Sequence, residues 1–172
     1  MIKLDVALEG LDAVLAEFRA LPKQVDRAEK RAVRKATRFL AAEVRRELAK
    51  AHGIPQKVLR QRKRIALKPN RGQVWVGTLP IAASHLGTPR QTRSGARVGR
   101  RRYDKAFVAR MRSGHVGVFR RKGKSRLPIE EVREPLPLAR AAADAALRKT
   151  ESRLPVLFLQ ELNYEVNVRG TR

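Results

Sequence analysis

The sequence predicts an α+β fold: a small antiparallel sheet packed on a long amphipathic helix and a C-terminal helix, with an extended basic arm. Three features favour this class. Apolar residues recur at helical spacing through much of the first third of the chain, short alternating segments flank turn signals in the middle, and a helical pattern returns near the end. The length of 172 residues is typical of one domain, so we expect a single domain over residues 1–172 with an exposed arm at about 88–104.

A strand and two helices are predicted at the start of the chain. An alternation with a period of two marks the strand, and its apolar members are Ile2, Leu4, Val6 and Leu8. Helical spacing follows over residues 11–21. Pro22 suits the first position of a second helix, whose apolar residues recur at intervals of three and four up to Ala51. Gly53 and Pro55 end this helix, which is the longest one predicted.

Two β-hairpins are predicted in the middle of the chain, after one or two further helical turns. The first pairs residues 64–68 with 73–78 around a Pro-Asn-Arg-Gly turn. The second pairs residues 107–111 with 115–120 around a Ser-Gly dipeptide. A basic turn follows, and it leads into a further strand over residues 127–133.

The chain returns to helix near its C-terminal end. Residues 138–154 are rich in alanine and carry apolar residues at helical spacing. Pro155 has no backbone N–H and crowds the preceding turn, so we expect it to kink or restart the helix. Residues 156–168 then continue as helix or strand. Helices that flank a run of antiparallel strands in this order are typical of an α+β domain.

Charge is the unusual property of the chain. Forty Lys and Arg residues against sixteen Asp and Glu residues leave a formal net charge of +24, whereas a magnitude of about 2–8 is typical of a small domain. Residues 53–126 hold 21 basic residues and a single acid, Asp104, which is a net charge of +20. This distribution favours a polyanionic partner, either nucleic acid or an acidic protein surface.

Residues 88–104 are predicted to form the exposed arm within that basic middle. The segment holds six arginines and almost no large apolar side chain, so burial cannot offset the entropy lost on ordering. We therefore expect it to order only against a partner. Guanidinium groups fork onto pairs of phosphate or carboxylate oxygens. The candidate contacts to a polyanion or partner protein are Arg93, Arg97, Arg100, Arg101, Arg102, Arg120, Arg121, Lys122, Lys124 and Arg126.

Catalysis is poorly supported by the sequence. The three histidines, His52, His85 and His115, share no metal-ligand spacing, and no Walker loop, dinucleotide fingerprint or nucleophile elbow is present. The absence of cysteine excludes a disulfide scaffold and a cysteine-based zinc site. We therefore expect a binding protein without catalytic residues, cofactor or metal, and not an enzyme.

No membrane or export segment is predicted. The first ten residues carry acids within their apolar stretch, which does not suit a secretory signal. The densest apolar run, residues 154–162, is far shorter than the roughly 20 residues that a membrane span needs. We expect a soluble protein that is made in the cytoplasm.

A distinctive order of residues runs along the second half of the chain. Its members are Phe107, Met111, Gly114, Val118, Phe119, Arg120, Arg121, Gly123, Lys124, Arg126, Leu127, Pro128, Ile129, Val132, Pro135 and Pro137. Matching segments lie upstream at Ala32, Lys35, Ala36, Thr37, Lys57, Leu59, Arg60 and Arg62, and downstream at Arg153, Leu154 and Pro155. This order resembles the phage lambda minor tail protein Z family over most of residues 25–165.

The resemblance implies a structural protein of a tailed phage or prophage virion. Members of that family complete the tail at its head-proximal end and support head–tail joining, so the expected location is the neck end of the tail. Related joining proteins form rings, commonly sixfold, around the DNA channel. The implied partners are copies of the protein itself, the tail terminator, the connector or stopper proteins of the head, and the end of the phage DNA.

Two alternatives stay open at the level of the sequence. The first is a non-specific nucleic-acid-binding protein of nucleoid or ribosomal type, which acts through phosphate contacts. The second is a component of the tail tip or baseplate.

Overall fold

The computed structural model describes residues 2–7, 22–68, 70–136 and 140–169. Contacts along the chain divide it into two units. The first unit comprises Met1–Gly53, Arg60–Gly77 and Ala139–Arg172, and the second comprises Ile54–Leu59 and Thr78–Leu138. That residues 1–172 fold as a single domain stays a prediction. The helix predicted over residues 11–21 lies outside the described residues.

A long helix, α1 (Pro22–His52), organises the first unit, as predicted. It begins at the expected proline and ends before Gly53, whose φ of +58° is the left-handed conformation common after helices. The fully buried face repeats every three or four residues, and its apolar members are Ala28, Ala32, Val33, Ala36, Leu40, Ala41, Val44 and Leu48. The C-terminal helix, α3 (Arg140–Asn163), packs against this face and buries Phe158 completely.

Helix α3 is continuous through Pro155, so the prediction that the helix restarts there is wrong. The residues after it, Tyr164–Arg169, form a π-helical turn and not a strand. Proline inside a helix costs about 3 kcal/mol. Burial of Leu154, Leu157 and Phe158 around this position offsets that cost, since each large apolar side chain contributes about 1.5–3 kcal/mol when buried.

A three-stranded antiparallel sheet completes the first unit. Its strands are β1 (Ile2–Ala7), β2 (Lys63–Lys68) and β3 (Arg71–Val76), with β3 in the centre. The strand predicted at the start of the chain and the first predicted hairpin are therefore confirmed. Lys68 pairs with Arg71, so two residues connect the hairpin strands. The second of these is Asn70, whose φ is +56°, and asparagine tolerates this conformation better than most residues.

The central strand approaches helix α1 most closely at Gly72. A Cβ atom at this position would lie 1.7 Å from Thr37 Oγ1 and 2.7 Å from Thr37 Cβ. Thr37 is fully buried and donates a hydrogen bond to the Val33 carbonyl oxygen at 2.6 Å. The helix therefore lies on the backbone of β3 at this point, and only glycine fits.

The second unit is built from short strands. The second unit also contains two short helical elements. These are α2 (Gln56–Arg60), which was predicted and ends at the unit boundary, and a 3₁₀ turn at Ala83–Leu86. The strands are β4 (Ile81–Ala82), β5 (Pro89–Gln91), β6 (Gly95–Val98), β7 (Arg101–Asp104), β8 (Ala106–Arg110), β9 (Val116–Arg121), β10 (Ile129–Glu131) and β11 (Arg133–Glu134). They form three antiparallel sheets: β5-β6-β7, β10-β9-β8 and the pair β4-β11. The second predicted hairpin is confirmed as β8-β9, and the strand predicted over residues 127–133 forms as β10 and β11.

Residues 88–104 fold as the sheet β5-β6-β7 and not as the extended arm that the composition predicted. Small and aromatic side chains alternate with the arginines, and Ala96, Val98 and Tyr103 are buried on one face. Two residues separate Val98 from its partner Arg101 in the second hairpin. In the first, Gln91 pairs with Ala96, and a hydrogen bond from the Thr92 N–H to the Gly95 carbonyl oxygen closes the turn between them. Short loops and three small buried contacts order a segment that lacks large apolar residues.

Candidate partner-binding surface

A row of arginines crosses the exposed face of the sheet β5-β6-β7. The strand register sets Arg90 opposite Arg97, and Arg97 opposite Arg102. All three side chains are exposed, and they lie on the face opposite Ala96 and Tyr103 because side chains alternate along a strand. Like charges placed directly across a ladder destabilise a sheet. We call Arg90, Arg97 and Arg102 the arginine row.

Two further arginines lie at the tips of the turns. Arg93 is in the turn between β5 and β6, where the Thr92 backbone N–H and hydroxyl both donate to the Gly95 carbonyl oxygen, at 2.7 and 2.8 Å. Arg100 is in the turn between β6 and β7, next to Gly99 with a φ of +58°. Both side chains are exposed.

An open cleft of about 520 Å³ lies beside the arginine row. Its lining includes Arg93, Arg97, Arg102 and the carboxylate residue Asp104. In the described part of the chain, no ion pair engages Arg90, Arg93 or Arg102. Arg97 is held through Nε, which donates to the Gly99 carbonyl oxygen at 2.9 Å. The cleft is therefore strongly cationic, and Asp104 is the one acidic residue among the described residues that line it.

The opposite face of this sheet is structural. Tyr103 is only 7% exposed, and burial together with the neighbouring Glu134 carboxylate raises its pKa well above the usual value. Arg101 is half-buried on this face, since it pairs with the buried Val98. Of the three consecutive arginines at 100–102, the structure therefore separates Arg101 from the exposed surface that carries the other two.

The candidate residues at 120–126 include three that make local contacts and two that are exposed without an ion pair among the described residues. Arg120 donates to the Asp104 carbonyl oxygen at 3.3 Å, Arg121 lies 6.0 Å from the centre of the Phe107 ring, and Lys122 pairs with Glu130 at 3.7 Å. The loop after β9 is closed by a hydrogen bond from the Lys122 N–H to the Pro128 carbonyl oxygen.

Lys124 and Arg126 lie in that loop, exposed, and without an ion pair among the described residues. The candidate residues thus fall into three groups. The cleft gathers Arg93, Arg97 and Arg102, the loop after β9 carries Lys122, Lys124 and Arg126, and the remaining four lie outside both: Arg100, Arg101, Arg120 and Arg121. Arg90 was missed by the sequence reasoning, and only the strand register shows that it belongs to the row.

A different set of charges joins the two long helices of the first unit. Glu161 of α3 and Glu165 of the π-helical turn that follows it are buried, and each forms ion pairs with the first half of α1. Arg31 contacts Glu161 at 3.6 Å and Glu165 at 3.1 Å, Lys35 contacts Glu161, and Arg27 contacts Glu165 at 3.7 Å. These basic side chains therefore form ion pairs within the first unit.

The signs are reversed at the other end of the same helix pair. Lys149 of α3 contacts Glu47 at 2.5 Å and Glu43 at 3.4 Å, both of which belong to the second half of α1. The Lys149 ammonium lowers the pKa of Glu47, and Glu47 in turn raises the pKa of Lys149. Sequence reasoning did not find either set of pairs, because they depend on how the two helices are aligned.

Metal-binding groups and membrane-spanning helices were sought among the described residues. No group of three or more His, Asp or Glu side chains among them is arranged to hold a metal ion. None of the helices in the described ranges is long and apolar enough to cross a bilayer.

Comparison with known proteins identifies the family. A family model described as prophage minor tail protein Z matches residues 8–170. The chain belongs to this family. The tail completion protein of Escherichia phage N15 is 28% identical to this chain over 179 residues, covering 98% of this chain and 97% of that protein. No solved structure matches the chain.

Membership of the minor tail protein Z family confirms the resemblance inferred from residues 107–137 and its flanking segments. It assigns the protein a structural role in a phage tail. The α+β class is confirmed as well, since small antiparallel sheets accompany the long helix α1 and the C-terminal helix α3. The roles of the ten candidate residues stay predictions.

Proposed function

We propose that the protein completes the tail at its head-proximal end and supports joining of the tail to the DNA-filled head. The observation that carries the proposal is similarity along nearly the whole chain to a tail completion protein, 28% identical with 98% of this chain covered. A match of this extent includes both units of the chain, so it does not rest on a single shared motif.

We further propose that the protein acts as a closed ring of identical copies around the DNA channel, with six as the expected number. Ring closure requires heterologous contacts, in which one surface of a copy binds a different surface of the next. The tail terminator and the connector or stopper of the head are the proposed neighbours. A net charge of +24 suits a position between acidic proteins and DNA.

Complementation of a deletion tests this function. In the phage or prophage that encodes the protein, deletion of its gene should leave filled heads and tails but few infectious particles. Purified protein added to the mutant lysate should restore joining. Normal joining without the gene would refute the proposal.

The location of the protein along the tail distinguishes the proposed function from that of a tail-tip component. A gold-labelled tag on the protein should appear by electron microscopy at the head-proximal end of free tails. Label at the opposite end would favour a tail-tip or baseplate component. Analytical ultracentrifugation of the purified protein, alone and with the terminator, measures the copy number.

The second candidate function is non-specific nucleic-acid binding, of nucleoid or ribosomal type. The arginine row favours it as an activity, because none of its three arginines forms an ion pair within the described part of the chain. If nucleic-acid binding were the main function, loss of the protein should also affect host cells in which no phage is being assembled. Loss of infectivity that is confined to tail joining would rule it out.

A further inference from the structure

We propose that the cleft beside the arginine row binds the phosphate backbone of duplex DNA. The site consists of Arg90, Arg97 and Arg102 on the sheet and Arg93 at the turn. The inference deepens the proposed function, on which it rests for the source of the DNA, and it names the ligand of one surface. The observations that support it are the register of the strands, the absence of ion pairs and the composition of the surface.

The unfavourable placement of charge is the first observation. The register sets three guanidinium groups in line across the three strands β5, β6 and β7, each directly opposite the next. Cross-strand like charges oppose folding, and no ion pair with a described carboxylate relieves Arg90 or Arg102. An anionic ligand that lies across the row would remove this repulsion.

The spacing of the row is suited to a nucleic-acid backbone. Neighbouring strands lie about 4.7–4.9 Å apart, so three strands place the guanidinium stems over about 10 Å. One DNA strand carries a phosphate for about every 3.4 Å of helix axis, and the row therefore spans about three phosphates. Each guanidinium presents a planar fork that matches two phosphate oxygens.

The composition of this face distinguishes DNA from a protein partner. Cores of protein–protein interfaces are enriched in aromatic residues and methionine, whereas protein–DNA interfaces are polar and strongly positive. The large apolar side chains that are exposed in the described second unit are Leu79, Val116 and Leu127. All three lie outside the sheet β5-β6-β7, which therefore has the charge of an interface without an apolar core.

The same composition favours backbone contacts over base contacts. Recognition of single strands requires exposed aromatic side chains on which bases stack. The aromatic residue of this sheet, Tyr103, is buried on the opposite face. Binding at the row should consequently depend on phosphates and not on sequence. Asp104, which also lines the cleft, should weaken it.

The test is the salt dependence of binding to a fluorescently labelled 20-base-pair duplex, measured by anisotropy with the full chain. The variant is the triple substitution Arg90→Gln, Arg97→Gln and Arg102→Gln. Each lost phosphate contact should reduce the slope of log affinity against log salt by about 0.9. When salt is raised from 50 to 200 mM, the factor by which affinity falls should therefore be about 40 times larger for the unaltered protein than for the variant.

A matched control removes the same charge elsewhere. The triple substitution Arg34→Gln, Arg38→Gln and Arg148→Gln takes three exposed arginines from the first unit. Its slope should equal that of the unaltered protein. Equal losses in both variants would show that binding follows net charge, and would overturn the inference. Failure of the unaltered protein to bind the duplex at 50 mM salt would overturn it as well.

Folding and function are measured separately. The single substitution Arg97→Gln, checked by circular dichroism, should still reduce the slope by about 0.9, so a triple variant that fails to fold does not decide the question. Asp104→Asn should tighten binding several-fold, and weaker binding would contradict the site. Complementation of tail joining is measured independently. If substitution of the arginine row does not affect DNA binding, this inference is refuted and the proposed tail function still stands.

Discussion

Replacement of Gly72 by alanine should destabilise the first unit, although alanine is ordinarily the better residue within a strand. Glycine in a strand costs roughly 0.5–1 kcal/mol relative to alanine, so propensity alone predicts a gain. The structure predicts a loss, because the new methyl group would lie 1.7 Å from Thr37 Oγ1. Overpacking of this kind costs about 1–3 kcal/mol. We expect the free energy of unfolding to fall by about 2 kcal/mol.

A double-mutant cycle with Thr37→Ala isolates the contact. That substitution alone removes a buried methyl group and the hydrogen bond to Val33, at a cost of about 1–2 kcal/mol. In the double variant the methyl at position 72 occupies the space that the Thr37 side chain leaves. The combined loss should therefore be smaller than the sum of the two single losses by at least about 1 kcal/mol.

Fluorescence of the single tryptophan makes the measurement specific to this unit. Trp75 lies in β3, three residues from the substitution, and is half-buried. Urea titrations should show lower midpoints with unchanged m-values. Gly77→Ala is the control, since its new methyl would lie 3.6 Å from the Arg62 carbonyl oxygen, an ordinary contact. Losses that add within about 0.5 kcal/mol would refute the close approach of β3 to α1.

Three other outcomes follow from the structure. Phe158→Ala should lower the free energy of unfolding by about 3–5 kcal/mol in the same urea assay, whereas Leu159→Ala, at 38% exposure, should change it far less. Because the pKa of Tyr103 is raised in the folded protein, the free energy of unfolding should be constant below about pH 10 and fall as pH rises further, by up to about 1.4 kcal/mol per pH unit. Tyr103→Phe should abolish this dependence on pH. An equal slope in both proteins would contradict the prediction. Neutralising Arg100 and Arg102 to Gln should preserve the circular dichroism spectrum but reduce joining in a complementation assay, and normal joining would show that their charge is incidental.

The long helix and the hairpins could be predicted because their signals are local. Helix α1 carries a buried stripe at intervals of three and four residues between a starting proline and a terminal glycine. The hairpins are marked by alternating segments around turn residues. In each case, the residues that determine the element lie within the element, so a single sequence suffices.

The composition of residues 89–104 does not predict the sheet that forms there, because the segment lacks large apolar residues. Its stability comes from small contributions: Ala96 and Val98 alternate with Arg97, and short turns limit the entropy of closure. A search for large apolar residues does not detect such a sheet. The same applies to Pro155, where tertiary packing of α3 outweighs a local signal that ordinarily ends a helix.

The sequence predicts which arginines are candidate contacts but not how they are arranged. The arginines of residues 93–102 were identified from charge alone. Their division between an exposed row and a buried face depends on strand register, which places Arg90 in the row and turns Arg101 away from it. Pairing between distant segments, such as Glu161 with Lys35, likewise cannot be inferred from spacing within one helix.

The reversal of charge along the two long helices has a consequence for the direction in which they assemble. Acidic α3 residues meet basic α1 residues at one end, and the signs are exchanged at the other. If α3 ran the opposite way, like charges would face each other at both ends. These ion pairs therefore discriminate in favour of the observed antiparallel direction of the two helices. High salt should weaken that discrimination while leaving the apolar contacts intact.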